Sequence, residues 1–216
     1  MTADPDDVQD RLLEGTGSSD SEPPAADLAA VPAGVTHPAR KGGRVTDVSA
    51  VAARLTLADE TLQIRDADGD LADFDLRFSD IVYYREDHQE INGRTVESLS
   101  IRHVQPPAAA VTTAVSVWDD AAHDRLREVV ADYYRRQRDA IDDLSLSGPQ
   151  LELLVRCYSM GGELDPSAML SKSTAELTEL FEPLRAAGLL RKGDTGVFLT
   201  GRGYLVVNEE IDDETM

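Results

Sequence analysis

The spacing of apolar residues changes once along this 216-residue chain, and the change restricts the folds open to it. From residue 40 to residue 118, apolar and polar residues alternate in short runs such as Arg54–Ile64. This period of two is typical of half-buried strands. From Asp119 to Ile141 the apolar residues recur every three or four positions, which predicts an amphipathic helix. Asp119 or Asp120 is a plausible N-cap for that helix.

Short antiparallel strands followed by one long helix are the element order of a pleckstrin-homology-like (PH-like) β barrel. We expect such an antiparallel barrel, with its C-terminal helix, over residues 40–141. Binding of anionic lipid headgroups needs clustered Lys and Arg. The first hairpin carries Arg40, Lys41, Arg44 and Arg54, but the segment is acidic overall. We therefore favour a protein-binding barrel over a lipid-binding one.

A second set of signals follows a short linker and predicts a winged-helix domain over residues 144–208. The predicted helices are Pro149–Met160, Pro166–Leu170, Ser173–Ala187 and Tyr204–Asn208, and the predicted strands are Leu189–Lys192 and Gly196–Leu199. The third helix begins with a capping-box pattern. Helix, helix, helix, hairpin and helix is the order of a winged helix. The fold class is thus α+β, and residues 209–216 are expected to form an acidic C-terminal tail.

The first 39 residues are expected to be a disordered acidic tail. Residues 1–37 hold eight acidic residues against Arg11 alone and have no aromatic residue. Such a segment cannot bury enough apolar area to offset its ordering entropy. Deletion of residues 2–37 is therefore expected to leave a folded protein, and a docking peptide is the alternative interpretation. Met1–Asp10 lacks the pattern of a secretory signal, so a cytoplasmic location without membrane insertion is expected.

Acidic residues outnumber basic residues along the whole chain. There are 41 Asp and Glu against 21 Lys and Arg, giving a net charge of −20, and the only lysines are Lys41, Lys172 and Lys192. An excess of Asp (26) over Glu (15) and a near-absence of lysine are expected of a protein from a cytoplasm with molar salt, where the Debye length falls to ~3 Å. The acids are spread over the whole chain, which favours this interpretation. A nucleic-acid mimic or an acidic partner-binding surface is the alternative. In either case, local charge is informative where it departs from this background.

No pattern for catalysis, a metal or a cofactor stands out, so we expect a non-enzymatic protein without a cofactor. Cys157 is the only cysteine, which excludes a disulfide framework and a cysteine-rich zinc site. Residues 66–70 resemble the start of an EF-hand loop, but position twelve is Arg77 and not the required Glu. No two histidines have the three- or four-residue ligand spacing, and they lie at His37, His88, His103 and His123.

The third helix of the winged unit decides between DNA and protein as the partner. It carries three glutamates against one arginine, and DNA phosphates require Lys or Arg. We therefore expect this helix and the adjoining hairpin to contact protein. The candidate interface residues are Glu176, Glu179, Glu182, Arg185, Arg191 and Lys192. A winged-helix DNA-binding transcription regulator is the alternative function.

Three C-terminal segments point to a known family. They are Leu151–Ser159, the helix Thr174–Gly188 with its continuation to Leu190, and Phe198–Gly203. Together with the barrel and long helix before them, they resemble the archaeal taxis protein family CheF, over roughly residues 43–207. The resemblance implies a non-enzymatic adaptor between the chemotaxis response regulator CheY, with CheC and CheD, and the archaeal flagellar motor. It supplies no motif from which individual site residues can be assigned.

The charge composition predicts that folding needs salt. With 41 acidic against 21 basic residues, self-repulsion destabilises the compact state until salt screens it. The midpoint of thermal unfolding is expected to rise steeply between low and multimolar KCl. A midpoint that does not change with KCl would contradict solvent adaptation and make the acidic charge a feature for a partner.

Overall fold

The computed structural model describes residues 28–105, 109–165, 174–193 and 196–214, which form a mixed α+β fold. An antiparallel sheet of eight strands dominates it. The strands are β1 Val31–Lys41, β2 Arg44–Val45, β3 Val51–Ala58, β4 Thr61–Asp66, β5 Phe74–Arg77, β6 Ile81–Ile91, β7 Arg94–Gln105 and β8 Ala109–Val117. Their spatial order is β5-β4-β3-β1-β8-β7-β6, with β2 paired to β1.

The sheet is open, which corrects the expected closed PH-like barrel. Within the described residues, β5 and β6 form its two ends and do not pair with each other. The four-residue strand β5 is followed by a 3-10 turn, Phe78–Asp80, and the chain then enters β6 at the opposite end. Helix α1, Asp120–Asp142, covers one face of the sheet, where Leu126 and Val130 join the buried cluster.

Helix α1 confirms the prediction made from the change in apolar spacing. Asp119 is its N-cap, and the carboxylate accepts a hydrogen bond of 2.8 Å from the backbone N–H of Ala122. This bond satisfies one of the backbone donors that a helix start leaves unpaired. The alternation of the strands is confirmed in the same way, since Leu55, Leu62 and Ile64 all point into the core beneath α1.

The central strand comes from the segment predicted to be a disordered tail. β1 pairs with β3 on one side and with β8 on the other, and Leu28 and Val35 are buried. The tail prediction is therefore wrong for residues 28–39, and removal of residues 2–37 would take away most of β1. Residues 1–27 lie outside the described residues. The apolar residues of β1 are few and small. The acidic residues, glycine and prolines around them therefore gave the segment a composition typical of a disordered tail.

In its described residues, the C-terminal unit contains three helices and a small sheet. Its elements are α2 Gly148–Ser159, β9 Glu163–Leu164, α3 Thr174–Ala186, β10 Leu190–Lys192, β11 Val197–Leu199 and α4 Gly201–Glu214. The three strands pair in the order β10-β11-β9, and β9 was not predicted. The expected helix Pro166–Leu170 lies outside the described residues. Helix α4 continues through most of the segment predicted as a C-terminal tail.

The two units share a hydrophobic core. Val82 of β6 and Val104 of β7 belong to the same buried cluster as Leu205 of α4. Gly201 begins α4 directly against the 3-10 turn, and a Cβ at this position would lie 2.6 Å from the carbonyl carbon of Asp80. The packing of α4 thus joins the C-terminal unit to the sheet. Within the described residues, no helix is both long enough and apolar enough to span a bilayer.

The central position of β1 predicts a large difference between two matched substitutions. Val35 is 0% exposed, whereas Val45 in β2 is 70% exposed. Val35→Asp buries an unpaired charge and is expected to cost about 4 kcal/mol or more of unfolding free energy, enough to abolish cooperative folding. Val45→Asp should change it by no more than about 0.5 kcal/mol. Denaturant unfolding of both variants measures the difference, and equal stabilities would show that β1 is dispensable.

Candidate functional site: an arginine groove on the sheet

A groove lies on the face of the sheet that α1 does not cover. Leu99 and Ile101 of β7 point into the core beneath α1, so the alternating residues Ser100 and Arg102 point to the other face. The groove has a volume of about 210 Å³. Its lining residues are Arg40, Gly43, Tyr83, Arg85, Ser100, Arg102, Ala110 and Thr112. We call this surface the arginine groove.

Strand register brings the groove together from four strands. Arg102 of β7 lies opposite Tyr83 of β6 and opposite Thr112 of β8, and Thr112 lies opposite Arg40 of β1. Residues directly opposite each other have Cβ atoms about 5 Å apart and project to the same face. The row therefore places two guanidinium groups on one surface, and Arg85 and Ser100 form the next row along the same strands.

The groove carries a net positive charge on a strongly acidic chain. Arg85 Nη2 lies 2.6 Å from Asp87 Oδ2. Among the described residues, this is the only ion pair formed by a residue that lines the groove. The backbone N–H of His88 and, more weakly, the Arg85 guanidinium hold the pKa of Asp87 below its usual value. Neither Arg40 nor Arg102 has a carboxylate oxygen within 4.0 Å in the described part of the chain. Three guanidinium groups thus face one carboxylate.

Apolar surface borders this charge. Tyr83 is 51% exposed and Val45, opposite Arg40 in the register, is 70% exposed. Lys41 and Arg44 lie opposite each other in the β1–β2 hairpin and add positive charge beside the groove. Tyr and Arg side chains are enriched in protein interfaces, and guanidinium groups bind carboxylates with two parallel hydrogen bonds. The arrangement suits an acidic, partly apolar surface on another protein.

Comparison with known proteins assigns the family. Residues 26–139 match the model of the family described as Archaeal Chemotaxis signal transduction system protein F, which is more than half of the chain. The chain belongs to the archaeal CheF family. The match covers β1 to α1 and therefore includes the whole arginine groove. The C-terminal segments that carry the sequence resemblance lie beyond it.

A curated relative supports the assignment. Taxis protein CheF2 of Halobacterium salinarum is 29% identical over 177 residues, which is 82% of this chain and 60% of the relative. The chain thus spans about 60% of the length of that relative. No solved structure matches the chain.

The sequence pointed to only part of the groove of this CheF-family chain. Arg40, Lys41 and Arg44 stood out as a basic hairpin, and they lie in or beside the groove. Arg54 does not, because it lies on β3 and reaches the carbonyl oxygen of Ala30. Arg85 and Arg102 were missed. Each lies two residues from another groove residue on the same strand, but only the register of β6, β7, β8 and β1 relates them to Arg40.

The predicted interface on the C-terminal unit is mostly exposed. The solvent-exposed members are Glu176, Glu179, Glu182, Arg185 and Lys192. Arg185 pairs with Glu182 at 3.0 Å on α3. Arg191 lies apart from this surface, because its guanidinium turns towards the sheet and lies 3.4 Å from Asp80. The exposed glutamates of α3 do not favour a nucleic acid, and the family supplies no support for the DNA-binding alternative.

Two histidines that are far apart in sequence, His37 of β1 and His103 of β7, lie on either side of the Thr113 hydroxyl of β8. The Oγ1 atom of Thr113 lies 2.7 Å from His37 Nδ1 and 2.9 Å from His103 Nε2. Burial lowers the pKa of both imidazoles, that of His103 to about 3. Burial also raises the pKa of the Cys157 thiol to about 11, so that it stays protonated near neutral pH. Among the described residues, no group of three or more His, Cys, Asp and Glu could hold a metal ion.

The buried imidazoles predict a pH dependence of stability. Their folded pKa values lie below the ordinary 6.5, so the unfolded chain binds more protons at acidic pH. The contribution of the neutral imidazoles to the free energy of unfolding therefore has its full value above pH ~6.5. It is expected to decrease as the pH drops from there towards about 3, the pKa of His103 in the folded protein. His103→Gln should flatten this slope, whereas His88→Gln, at an exposed position on β6, should not. Equal slopes for both variants would contradict the assignment.

Proposed function

We propose that this chain is a non-enzymatic adaptor of archaeal chemotaxis. In this role it links a CheY-like response regulator, together with CheC- and CheD-like proteins, to the motor of the archaeal flagellum. The family match supports a place in taxis signalling. The single observation that supports protein binding is the arginine groove, a positive surface within the family-matched part of a chain of net charge −20. A cytoplasmic location belongs to this proposal.

The groove has the chemistry to hold acidic side chains of a partner. Arg40 and Arg102 keep hydrogen-bond donors that no neighbouring carboxylate occupies in the described residues. A guanidinium presents five N–H donors, so each of these residues can bind a carboxylate through two bonds. Tyr83 and Val45 supply apolar area that excludes water from those bonds.

The basic hairpin beside the groove supports the same use. Lys41 and Arg44 are directly opposite each other, and like charges in that position destabilise a hairpin. An acidic partner would relieve this repulsion. In molar salt, charges interact only over ~3 Å, so a partner must make direct contacts and not depend on long-range attraction.

The C-terminal unit supplies a second proposed surface. Its helix α3, the β10–β11 hairpin and the third strand β9 support a winged-helix arrangement used for protein contacts. We propose the exposed residues of α3 and β10 as a second contact, formed by Glu176, Glu179, Glu182, Arg185 and Lys192. Arg191 is not part of this surface, because it contacts Asp80.

The two surfaces can be separated by matched double variants. Arg40→Gln with Arg102→Gln removes two charges from the groove and is expected to weaken binding of a purified CheY-like response regulator from the same cell at least about tenfold. The reason is that truncating a hydrogen-bonded charge in an interface costs about 2 kcal/mol or more. Affinities are measured by titration calorimetry in multimolar KCl, and thermal unfolding checks that each variant is folded.

Glu179→Lys with Glu182→Lys on α3 is the matched variant of the second surface. These residues are exposed, so the unfolding free energy should change by no more than about 0.5 kcal/mol. The loss of affinity for the response regulator should be several-fold smaller in this variant than in the groove variant. If the α3 variant loses binding and the groove variant keeps it, the regulator docks on the C-terminal unit. If the parent protein binds neither a response regulator nor a motor protein, the adaptor function is wrong.

A further inference from the structure

A second cavity lies between the sheet and the C-terminal unit. Its volume is about 300 Å³. It is bounded by β5 and the 3-10 turn on the sheet side, by α1, and by β10 and the start of α4 on the other side. The residues that define its charge are Arg77, Asp80, Arg191 and Arg202. We call it the inter-unit cavity.

Positive charge exceeds negative charge in this cavity. Three guanidinium groups, from β5, β10 and α4, line it together with the single carboxylate of Asp80. Asp80 is 6% exposed, and its burial raises the pKa of the carboxyl while Arg191 and Arg77 oppose this effect. Four charged side chains, three positive and one negative, leave a net charge of about +2, since arginine is always protonated in proteins. A concentration of positive charge of this kind attracts a small anion.

Asp80 does not satisfy the guanidinium donors. Its Oδ1 lies 3.4 Å from Arg191 Nη1, longer than the ~2.8 Å of a good charge-assisted bond. Arg191 Nη2 is buried and has no hydrogen-bond partner among the described residues. Arg202 donates a hydrogen bond through Nη1 to the carbonyl oxygen of Ala187. The other N–H groups of Arg202 can still donate to a ligand. Arg77 has no carboxylate oxygen within 4.0 Å in the described part of the chain.

Three neutral polar side chains of the lining, those of Tyr133, Gln137 and Thr200, already donate hydrogen bonds within the protein. The Tyr133 hydroxyl donates to Glu60 Oε2 at 3.0 Å. Gln137 Nε2 donates to the carbonyl oxygen of Phe78, and Thr200 Oγ1 donates to that of Gly188. The guanidinium N–H groups that remain in the cavity therefore need a negatively charged acceptor with several oxygens. Water could accept the free N–H groups, but it would not compensate the charge.

We propose that the inter-unit cavity binds a small oxyanion of the phosphate class. A phosphate dianion would neutralise the net positive charge, and its oxygens can accept from Arg77, Arg191 and Arg202 together. The cavity is large enough for the anion and a few waters, each of which takes up about 30 Å³ in the liquid. Because the three arginines come from different elements on both sides of the cavity, the bound anion ties the C-terminal unit to the sheet.

The anion site is independent of the adaptor function and has its own test. Inorganic phosphate is titrated into the full chain at constant KCl, with calorimetry and thermal unfolding as the two measurements. The expected result is saturable binding of one phosphate and an unfolding midpoint that rises with phosphate concentration, since a ligand that binds only the folded state stabilises it. No binding heat and no rise in the midpoint would overturn the proposal.

Arg77→Gln is the decisive variant, because Arg77 is exposed and its loss leaves the Asp80–Arg191 contact in place. It should weaken phosphate binding roughly tenfold, the contribution of one charge-assisted hydrogen bond. Arg85→Gln in the arginine groove is the matched control and should bind like the parent. Equal affinity of Arg77→Gln and the parent, or weakening in Arg85→Gln alone, would place the anion elsewhere and overturn the proposal.

Further arms identify the chemistry and its source. Acetate should bind at least about tenfold more weakly than phosphate, because it offers two oxygens and one charge. Acetate binding as tightly as phosphate would contradict a phosphate-class site. Adenosine monophosphate tests the source: binding equal to that of phosphate supports a phosphoryl ester as the natural ligand, and weaker binding supports the free ion. Asp80→Asn with Arg191→Gln removes both charges of the contact, and should lose phosphate binding while remaining folded.

Discussion

The pairing of β1 between β3 and β8 is the contact on which the rest of this structure depends. It connects the two halves of the sheet, and it buries Val35 in the core beneath α1. Farther along the same strand, it places Arg40 in the row that contains Arg102. Without this strand, the hairpin β3–β4 and the hairpin β6–β7 would share no sheet, and the arginine groove would lose one wall.

The packing of α4 is the second constraint, because it decides how the C-terminal unit meets the sheet. Gly201 allows the helix to begin against the backbone of the 3-10 turn, where any side chain would collide with Ser79 and Asp80. Val82 and Val104 then contribute to a core that both units share. The same close approach brings Arg191 and Arg202 to Arg77 and Asp80 and so creates the inter-unit cavity.

Both candidate sites are departures from the acidic average of the chain. In a chain with a net charge of −20, a cluster of arginines with fewer carboxylates than guanidinium groups is unusual. The arginine groove lies at the sheet surface with apolar neighbours, which suits a protein partner. The inter-unit cavity lies between packed elements, which suits a small ion. Membership of the CheF family supports the proposal that the first of these contacts a partner in taxis signalling.

Local patterns in the sequence determined the helix α1 with its Asp119 cap, the alternation of β3 and β4, and most of α2, because each depends on neighbouring residues alone. The same local patterns did not predict β1, because this strand is stabilised by its pairing with β3 and β8 and not by the strand propensity of its own small apolar residues. Tertiary structure alone decided that the sheet stays open. It also decided which arginines meet, since Arg40, Arg85 and Arg102 lie up to 62 positions apart and only strand register brings them to one face.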